Sequence, residues 1–387
     1  MPAAAPDGVG SNGRAKAWAH PTIRDVAARA GVSKSLVSLA LQNAPRVAPA
    51  TRETILAAAE ELGYRRNAAA HALVAHRTRT IGVFVLDLHN PISADLLDAV
   101  QAEARRRDYR TIVVVGGDDA TAERAELEKL LEFRVEGIIA VGHRLPDGAA
   151  QAITSNCPAV IIGSEQPGIP HLASMLNDDV LGARLAVDHL VALGHERITY
   201  VDGGASTVAR DRRRGYRAAM RRHGLGDHLA VVKGSFTDDG GYHGASLALD
   251  APNPPTALFV VNDLAAMGAM AAVADRGLTV PEDVSIVGYD GTRLAGMRPL
   301  ALTTVAQPLQ QLGTGAAALL CGQLDGEPSG GPSTRLAPAL IARRTTAPPR
   351  SQGSTDPTAG SGGTRPRRDR RPPPDQPSNA TSRRVKE

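Results

Sequence analysis

The chain has 387 residues, a formal net charge of +4 and a sequence pI near 9.3, which predict two or three domains with a mild excess of base. Its two cysteines, Cys157 and Cys321, are too few for a disulfide framework and indicate a reducing compartment. Residues 1–20 contain no apolar run typical of a signal peptide, and no stretch of about 18 apolar residues could span a membrane. We therefore expect a cytoplasmic protein without a membrane segment.

Changes in composition along the chain predict its organisation. Residues 1–20 are rich in Ala, Gly and Pro, which predicts a disordered arm, and residues 21–66 carry apolar residues at helical spacing. Residues 67–79 form a short alanine-rich segment and linker, and residues 80–346 alternate strand-like with helix-like stretches. Residues 347–387 are basic and rich in Pro, Gly, Ser and Arg, which predicts a disordered tail.

Three short helices are predicted after residue 21. Thr22 and Asp25 have the spacing of a capping box for the first helix, which Gly31 ends. Ser33 can cap a second helix, Lys34 to Leu41, after a turn of about three residues, which is the helix-turn-helix spacing. The buried stripe of the third helix consists of Ile55, Ala58, Ala59 and Leu62. A plain helical hairpin is the alternative interpretation of this pattern.

From Ile81 onward, short β-branched runs alternate with amphipathic stretches. The predicted strands are Ile81–Leu86, Thr111–Val115, Gly137–Val141, Ala159–Ile162, Arg197–Val201, Ala230–Val232, Ala257–Val261 and Val284–Val287. The predicted helices are Ser93–Arg107, Ala122–Arg134, Gly182–Leu193, Thr207–His223, Asp239–Leu249 and Asp263–Arg276. These strands are too many for one sheet, so we expect two doubly wound α/β lobes that divide near Leu176–Asn177. A ligand is then expected in the cleft at the carboxyl ends of the strands.

Four stretches of the helical region carry a family resemblance. They are Thr22-Ile-Arg-Asp-Val-Ala-Ala-Arg-Ala-Gly-Val-Ser33, Val37-Ser38, Thr51-Arg52-Glu53 and Leu62-Gly-Tyr-Arg-Arg-Asn-Ala-Ala-Ala70. Together they resemble the headpiece and hinge of the LacI family, the lactose repressor and GalR type of regulator. The resemblance implies a sequence-specific transcriptional repressor that binds a pseudo-palindromic operator in double-stranded DNA as a homodimer, and it implies no enzymatic activity.

The resemblance also implies which headpiece residues contact DNA. Lys34, Ser35 and Ser38 are expected to point toward base edges and phosphates. The expected contacts to the DNA backbone are Thr22, Ser33, Arg46, Thr51 and Asn67. Leu39 stands where the best-known members usually carry a polar or basic residue, and Leu36 is likewise apolar, so each either touches a thymine methyl or packs inside the headpiece.

The segment Asn67–Ala75 resembles the family's hinge helix and is too short to be stable alone in water. Ala70 and Leu73 are assigned to its DNA-binding surface, with Leu73 as the wedge that opens a base step in the minor groove. A flexible linker is the alternative. The flanking arginines are expected to attract phosphates, and they are Arg65, Arg66, Arg77 and Arg79.

Further motifs extend the resemblance to residues 80–346, since the ligand-binding cores of this family are similar to periplasmic sugar-binding proteins. These motifs include Asn90-Pro91, Arg212-Arg-Arg-Gly-Tyr216 and Gly288-Tyr-Asp290. The effector-binding residues that the resemblance implies are Asn90, Arg212, Phe236, Asn262 and Asp290. The expected effector is a small polar molecule, sugar-like above all, and loss of Arg212 is expected to weaken its binding without loss of DNA binding. Gly163-Ser164 replaces an Asp-Arg pair of many relatives, so the effector's identity stays open.

Several other patterns are interpreted as structural. Gly313-Thr-Gly315-Ala-Ala-Ala318 matches a dinucleotide fingerprint but follows a helical stretch, so close helix packing explains it better. The pairs Asp118-Asp119, Asp178-Asp179 and Asp238-Asp239 are interpreted as helix caps. We predict no metal and no cofactor. The competing classes are a solute-binding protein, which would have a signal peptide and no headpiece, and a doubly wound enzyme, which would have a nucleophile elbow or a phosphate loop in context.

Overall fold

A computed structural model describes residues 21–65, 77–116, 119–142, 148–165, 168–327 and 333–350. The predictions for Asn67, Ala70 and Leu73, for the arm and for the tail beyond residue 350 lie outside the described residues. Among the described residues, no helix combines the length and the apolar character that a membrane span requires.

The headpiece consists of α1 (Ile23–Ala30), α2 (Lys34–Leu41) and α3 (Pro49–Glu61). The predicted caps are confirmed: the Asp25 carboxylate accepts from the backbone nitrogen and the hydroxyl of Thr22, Ser33 Oγ accepts from the Leu36 nitrogen, and Gly31 ends α1 at φ 67°. Side chains of all three helices and the intervening loop share one core. Its fully or almost fully buried members include Val26, Val37, Ala40, Val47 and Ile55.

Lobe 1 is built on a six-stranded sheet within the described residues, in the order β11-β5-β4-β3-β1-β2. Its strands are β1 (Thr80–Val85), β2 (Arg110–Val115), β3 (Gly137–Val141), β4 (Ala159–Ile162), β5 (Leu172–Asn177) and β11 (Ser333–Leu336). All neighbouring strands pair in parallel. Because they are parallel, their carboxyl ends meet at one edge of the sheet.

Lobe 2 repeats this arrangement with a sheet in the order β12-β10-β9-β8-β6-β7. Its strands are β6 (Ile198–Val201), β7 (Ala230–Val232), β8 (Ala257–Val260), β9 (Ser285–Asp290), β10 (Thr303–Ala306) and β12 (Ala339–Ile341). Only the pair of β10 with β12 is antiparallel among the described strand pairs. The two doubly wound lobes predicted from the sequence are therefore confirmed.

Helices cover the faces of both sheets. Those of lobe 1 are α4 (Pro91–Arg106), α5 (Ala120–Glu132), α6 (Ala149–Thr154) and α11 (Leu309–Leu324). Those of lobe 2 are α7 (Asp179–Ala192), α8 (Thr207–Arg222), α9 (Asp238–Leu249) and α10 (Asp263–Asp275). Apolar strand residues are buried on both faces of each sheet, as the near-continuous apolar runs predicted.

The prediction of one division near Leu176–Asn177 was incomplete. The chain does pass to lobe 2 after β5, but it returns to lobe 1 between β10 and α11 and passes back between β11 and β12. The apolar pattern did not predict β5 and β10, because polar residues such as Ser174 and Thr304 interrupt it. Both of these side chains are nevertheless buried. Several connecting segments therefore join the lobes.

The interpretation of Gly313 as a packing residue is confirmed. It lies in the interior of α11, against α4. A Cβ on Gly313 would lie 2.6 Å from the Cβ of Ala99 and 2.8 Å from the carbonyl oxygen of Leu96. The glycine thus allows the two helices to approach closely, and no phosphate site is needed to explain the motif.

Candidate functional site

The first turn of α2 forms a polar, exposed surface on the headpiece. Lys34 and Ser35 are exposed, and Ser38 is half-buried and accepts from Gln42 Nε2 at 3.3 Å. Leu36 and Leu39 are half-buried and pack against the headpiece core, which favours the packing interpretation of both leucines. The sequence-predicted base-reading residues are therefore on the part of α2 that faces solvent.

The predicted backbone contacts have varied surroundings. The Thr22 hydroxyl donates to Asp25 at 2.8 Å, and both hydrogen bonds from Thr22 lower the pKa of that carboxyl. Arg46 is exposed and Thr51 is half-buried at the start of α3. Arg52 has no role in the sequence prediction, yet its guanidinium donates to Asn43 Oδ1 and to the carbonyl of Ala44 and so holds the loop between α2 and α3.

Arg77 and Arg79, which are expected to attract phosphates, take part in ion pairs within lobe 1. Arg77 forms ion pairs with Glu136 at 3.0 Å and with Asp325 at 3.2 Å, and Arg79 pairs with Asp325 at 3.1 Å. Both guanidinium groups also lie over the ring of Tyr109. These ion pairs attach residues 77–79 to lobe 1, although the side chains of Arg77 and Arg79 stay 38% and 44% exposed. Arg65 is exposed as well, and the attraction of phosphates by these arginines stays a prediction.

A cavity lies between the lobes at the carboxyl ends of their strands, where ligands are expected in open α/β sheets. Its volume is about 100 Å³. Lobe 1 contributes Leu86, Asp87, Asn90, Ile92, Ser93, Leu96, Val141, Gly142, Ile162, Gly163 and Asn177. Lobe 2 contributes Asp179, Val208, Arg212, Phe236, Asp290 and Gln307. The wall is thus apolar with a few polar groups that converge, which is typical of small-molecule sites.

Arg212 is the centre of the polar wall. It lies in the second turn of α8 and is 2% exposed. Its Nε donates to Asp179 at 2.9 Å, its Nη1 to the carbonyl of Val261, and its Nη2 to Asp290 at 3.3 Å. Burial lowers the Arg212 pKa, but the two carboxylates outweigh this effect and keep it above its ordinary value, so the guanidinium stays charged.

Asp290 ends β9 with φ 105°, a conformation that residues other than glycine rarely adopt and that recurs at functional sites. The pKa of Asp290 is raised to about 7, mainly because the carboxyl is buried. The Arg212 charge lowers this pKa, whereas the buried Asp263 carboxyl raises it further. Gln307 Nε2 donates to Asp290 at 2.7 Å. Beneath this group, the ring of Tyr289 stacks on Arg212 at 3.6 Å, so the pair is held in a fixed position.

Asp179 is a cavity residue that the sequence analysis missed. The pair Asp178-Asp179 was interpreted as a cap, and this is confirmed for Asp178, whose carboxylate accepts from the Leu181 nitrogen. Asp179 is instead buried against Arg212 and Asn177. Its position two residues after the end of β5 was the available signal, but neighbouring acids look alike in the sequence.

Three further predicted residues take different positions. Asn90 lines the cavity and caps α4 through the Ile92 nitrogen, and Phe236 forms part of the apolar wall. Asn262 is fully buried and does not line the cavity, because its oxygen caps α10 at Ala265 while its amide donates to the carbonyl of Phe236 at 3.0 Å. Direct ligand contact by Asn262 is therefore corrected to a role in positioning Phe236.

Residues 22–67 match the family model "Bacterial regulatory proteins, lacI family", and residues 187–346 match the model of a periplasmic binding protein-like domain. The HTH-type transcriptional repressor CytR of Escherichia coli strain K12 is 32% identical over 327 residues, which cover 84% of this chain and 96% of CytR.

Solved structures show the same likeness. The lac repressor dimer bound to operator and the anti-inducer ONPF has a TM-score of 0.75 at 31% identity, covering 85% of this chain and 100% of that chain. A LacI family regulator from Enterococcus faecium with bound ribose has a TM-score of 0.62 at 27% identity, covering 70% and 99% of the two chains. The chain therefore belongs to the LacI family of bacterial regulatory proteins and is a DNA-binding transcriptional regulator.

Proposed function

We propose that this chain is a repressor that binds a pseudo-palindromic operator as a homodimer and is controlled by a small polar, sugar-like effector in the cleft between its lobes. The proposal depends on one observation: the same chain contains a helix-turn-helix and a two-lobed domain. The first turn of α2 is polar and exposed, and the two-lobed domain has a cavity between its lobes. Helix-turn-helix dimers bind half-sites related by the two-fold axis of the protein. CytR is named a repressor, and the lac repressor structure is described as a dimer bound to operator.

The cleft supplies the means of control in this proposal. Arg293 of lobe 2 pairs with Asp95 of lobe 1 at 2.8 Å and with Asp98 at 2.8 Å. Such pairs across the cleft depend on the angle between the lobes. An effector that binds one angle more tightly than the other shifts the population of DNA-binding molecules, which is the thermodynamic basis of allostery.

Selection of DNA ligands from random duplexes tests the proposed function. We expect recovered sites with two inverted half-sites, bound by a species with the mass of a dimer in light scattering. Binding should weaken steeply with salt because phosphate contacts release counterions. A single asymmetric site, or specific binding by a monomer, would contradict the proposal.

Leu73→Ala is expected to weaken specific operator binding by about 1–3 kcal/mol, since it removes the proposed minor-groove wedge. Leu73 lies outside the described residues, so this prediction depends on the sequence. Fluorescence anisotropy with the selected site gives the change, and Leu56→Ala, at an exposed leucine of α3, is the control. Effector binding by calorimetry should be unchanged, and operator affinity equal to that of the unmodified protein would refute the wedge.

A further inference from the structure

The solvent-facing side of α8 in lobe 2 carries a line of arginines. Seven of the 16 residues of this helix are arginines, and Asp211 is its one acid. Arg210, Arg217 and Arg221 are exposed. They are seven and four residues apart, which places them within about 40° of one another around the helix axis and along roughly 17 Å of its length. We call these three residues the arginine stripe.

The charges of the arginine stripe are not balanced by the described part of the chain. The other arginines of α8 form ion pairs, which are Arg212 with Asp179 and Asp290, Arg213 with Asp202, Arg214 with Asp211, and Arg222 with Asp188. No described carboxylate forms an ion pair with Arg210, Arg217 or Arg221, and Arg210 donates to the Thr207 hydroxyl at 3.3 Å. The stripe therefore presents three positive charges to solvent.

The opposite side of α8 fixes the direction in which the arginine stripe faces. Arg212 is 2% exposed and holds two buried carboxylates, and the Tyr216 hydroxyl donates to the Ile198 carbonyl at 2.7 Å. A Cβ on Gly215 would lie 2.5 Å from the Val180 carbonyl oxygen of α7, so the two helices are in close contact. The helix cannot turn about its axis without breaking these contacts, and the stripe is a preformed surface.

The composition of the exposed side of α8 favours one kind of partner. Its large apolar and aromatic residues, Val208, Tyr216 and Met220, are buried, and Ala218 is its one exposed apolar residue. Protein interfaces depend on aromatic or aliphatic anchors, and proteins bind single-stranded nucleic acids by stacking bases on aromatic rings. The backbone of duplex DNA needs neither, because cations alone bind it, and a guanidinium can donate two parallel hydrogen bonds to one phosphate.

We propose that the arginine stripe binds the phosphate backbone of double-stranded DNA without regard to base sequence, so that the molecule holds a second duplex segment while its headpiece occupies a specific site. The two surfaces belong to separate structural parts, because α8 packs in the core of lobe 2 and the headpiece has its own core. A molecule that holds two segments raises the effective concentration of each at the other.

Capture on immobilised DNA tests the proposal with the full chain. The protein is bound to a biotinylated duplex that contains the site recovered by selection, whatever the symmetry of that site, and a labelled random duplex of about 30 base pairs is then added. We expect the second duplex to bind, and its affinity to fall steeply with salt, since each contacted phosphate contributes about 0.9 to the slope of log affinity against log salt concentration. Absence of the second duplex at low salt would overturn the proposal.

Arg217→Ala/Arg221→Ala tests the residues. We expect the second duplex to bind at least about ten-fold more weakly and the salt slope to fall by about 2, with capture on the specific site unchanged. Arg298→Ala/Arg344→Ala is the matched control, because it removes two exposed arginines of lobe 2 outside α8 and changes the net charge equally. This control should bind the second duplex as the unmodified protein does. An equal loss in both double variants would show that net charge alone attracts the duplex and would refute a site on α8.

Two further measurements separate the arginine stripe from its rivals. The basic tail lies outside the described residues, and its charge is removed in the full chain by Arg367→Ala/Arg368→Ala/Arg370→Ala/Arg371→Ala. We expect this variant to keep most of its binding of the second duplex; loss of that binding here, with none in Arg217→Ala/Arg221→Ala, would place the site in the tail. Tighter binding of a poly-L-glutamate peptide than of the duplex would identify an acidic protein segment as the partner and contradict the proposal.

Discussion

Arg212→Ala is expected to abolish the response to the effector and to lower the free energy of unfolding of the two-lobed domain by about 3–5 kcal/mol. The reason is that Asp179 and Asp290 would both lose the cation that balances them in a buried site. The sequence predicted a loss of ligand affinity alone. The structure adds the loss of stability, because every nitrogen of the guanidinium donates within the protein.

Denaturant unfolding and calorimetry separate the two effects. Arg214→Ala is the matched control, because Arg214 lies on the same helix with a 69% exposed side chain that pairs with Asp211, and its loss should change stability by no more than about 0.5 kcal/mol. The headpiece has its own core, so Arg212→Ala should still bind operator wherever the two-lobed domain remains folded. If the Arg212→Ala protein had unchanged stability and an unchanged response to the effector, the assignment of Arg212 to the effector site would be wrong.

Much of the fold was predictable from local signals. The caps Thr22 and Ser33 and the terminal Gly31 give the bounds of the first two helices, because each satisfies backbone groups that the helix leaves unpaired. The buried strands were recognisable as apolar on both faces. The points at which the chain returns from one lobe to the other were not predictable from local signals. They depend on which sheet edge pairs with a short strand such as β11, and nothing local in Ser333–Leu336 encodes that choice.

The candidate site was predictable where position alone decides it. Asp290 ends a parallel strand and therefore lies at the carboxyl edge with the cavity. Asn262 follows a strand in the same way, but its side chain turns back to cap a helix. Asn177 and Asp179 were missed because their contacts, to Tyr289 and Arg212, join residues far apart in the chain. The direction of a side chain at a strand end is a property of the packed fold.

Ile55→Ala is expected to abolish specific DNA binding while effector binding persists. Ile55 is fully buried in the core that α1, α2 and α3 share. Removing a buried isoleucine down to alanine typically lowers the free energy of unfolding by about 2–5 kcal/mol, through lost transfer energy and the cavity left behind. A domain as small as residues 21–65 has little stability to lose, so the headpiece of the variant should be largely unfolded.

Anisotropy with the selected operator and calorimetry with the effector measure the two functions of the Ile55→Ala protein. Leu56→Ala is the matched control, because this neighbouring side chain is 47% exposed and its truncation leaves the core intact. The two-lobed domain has separate cores, so its unfolding transition should be the same in the variant and the unmodified protein. Operator affinity that survives Ile55→Ala would show that the headpiece is more stable than its small core allows, or that residues outside it bind the DNA. An equal loss in Leu56→Ala would instead place the exposed face of α3 in the interface, because truncating an exposed side chain does not unfold a domain.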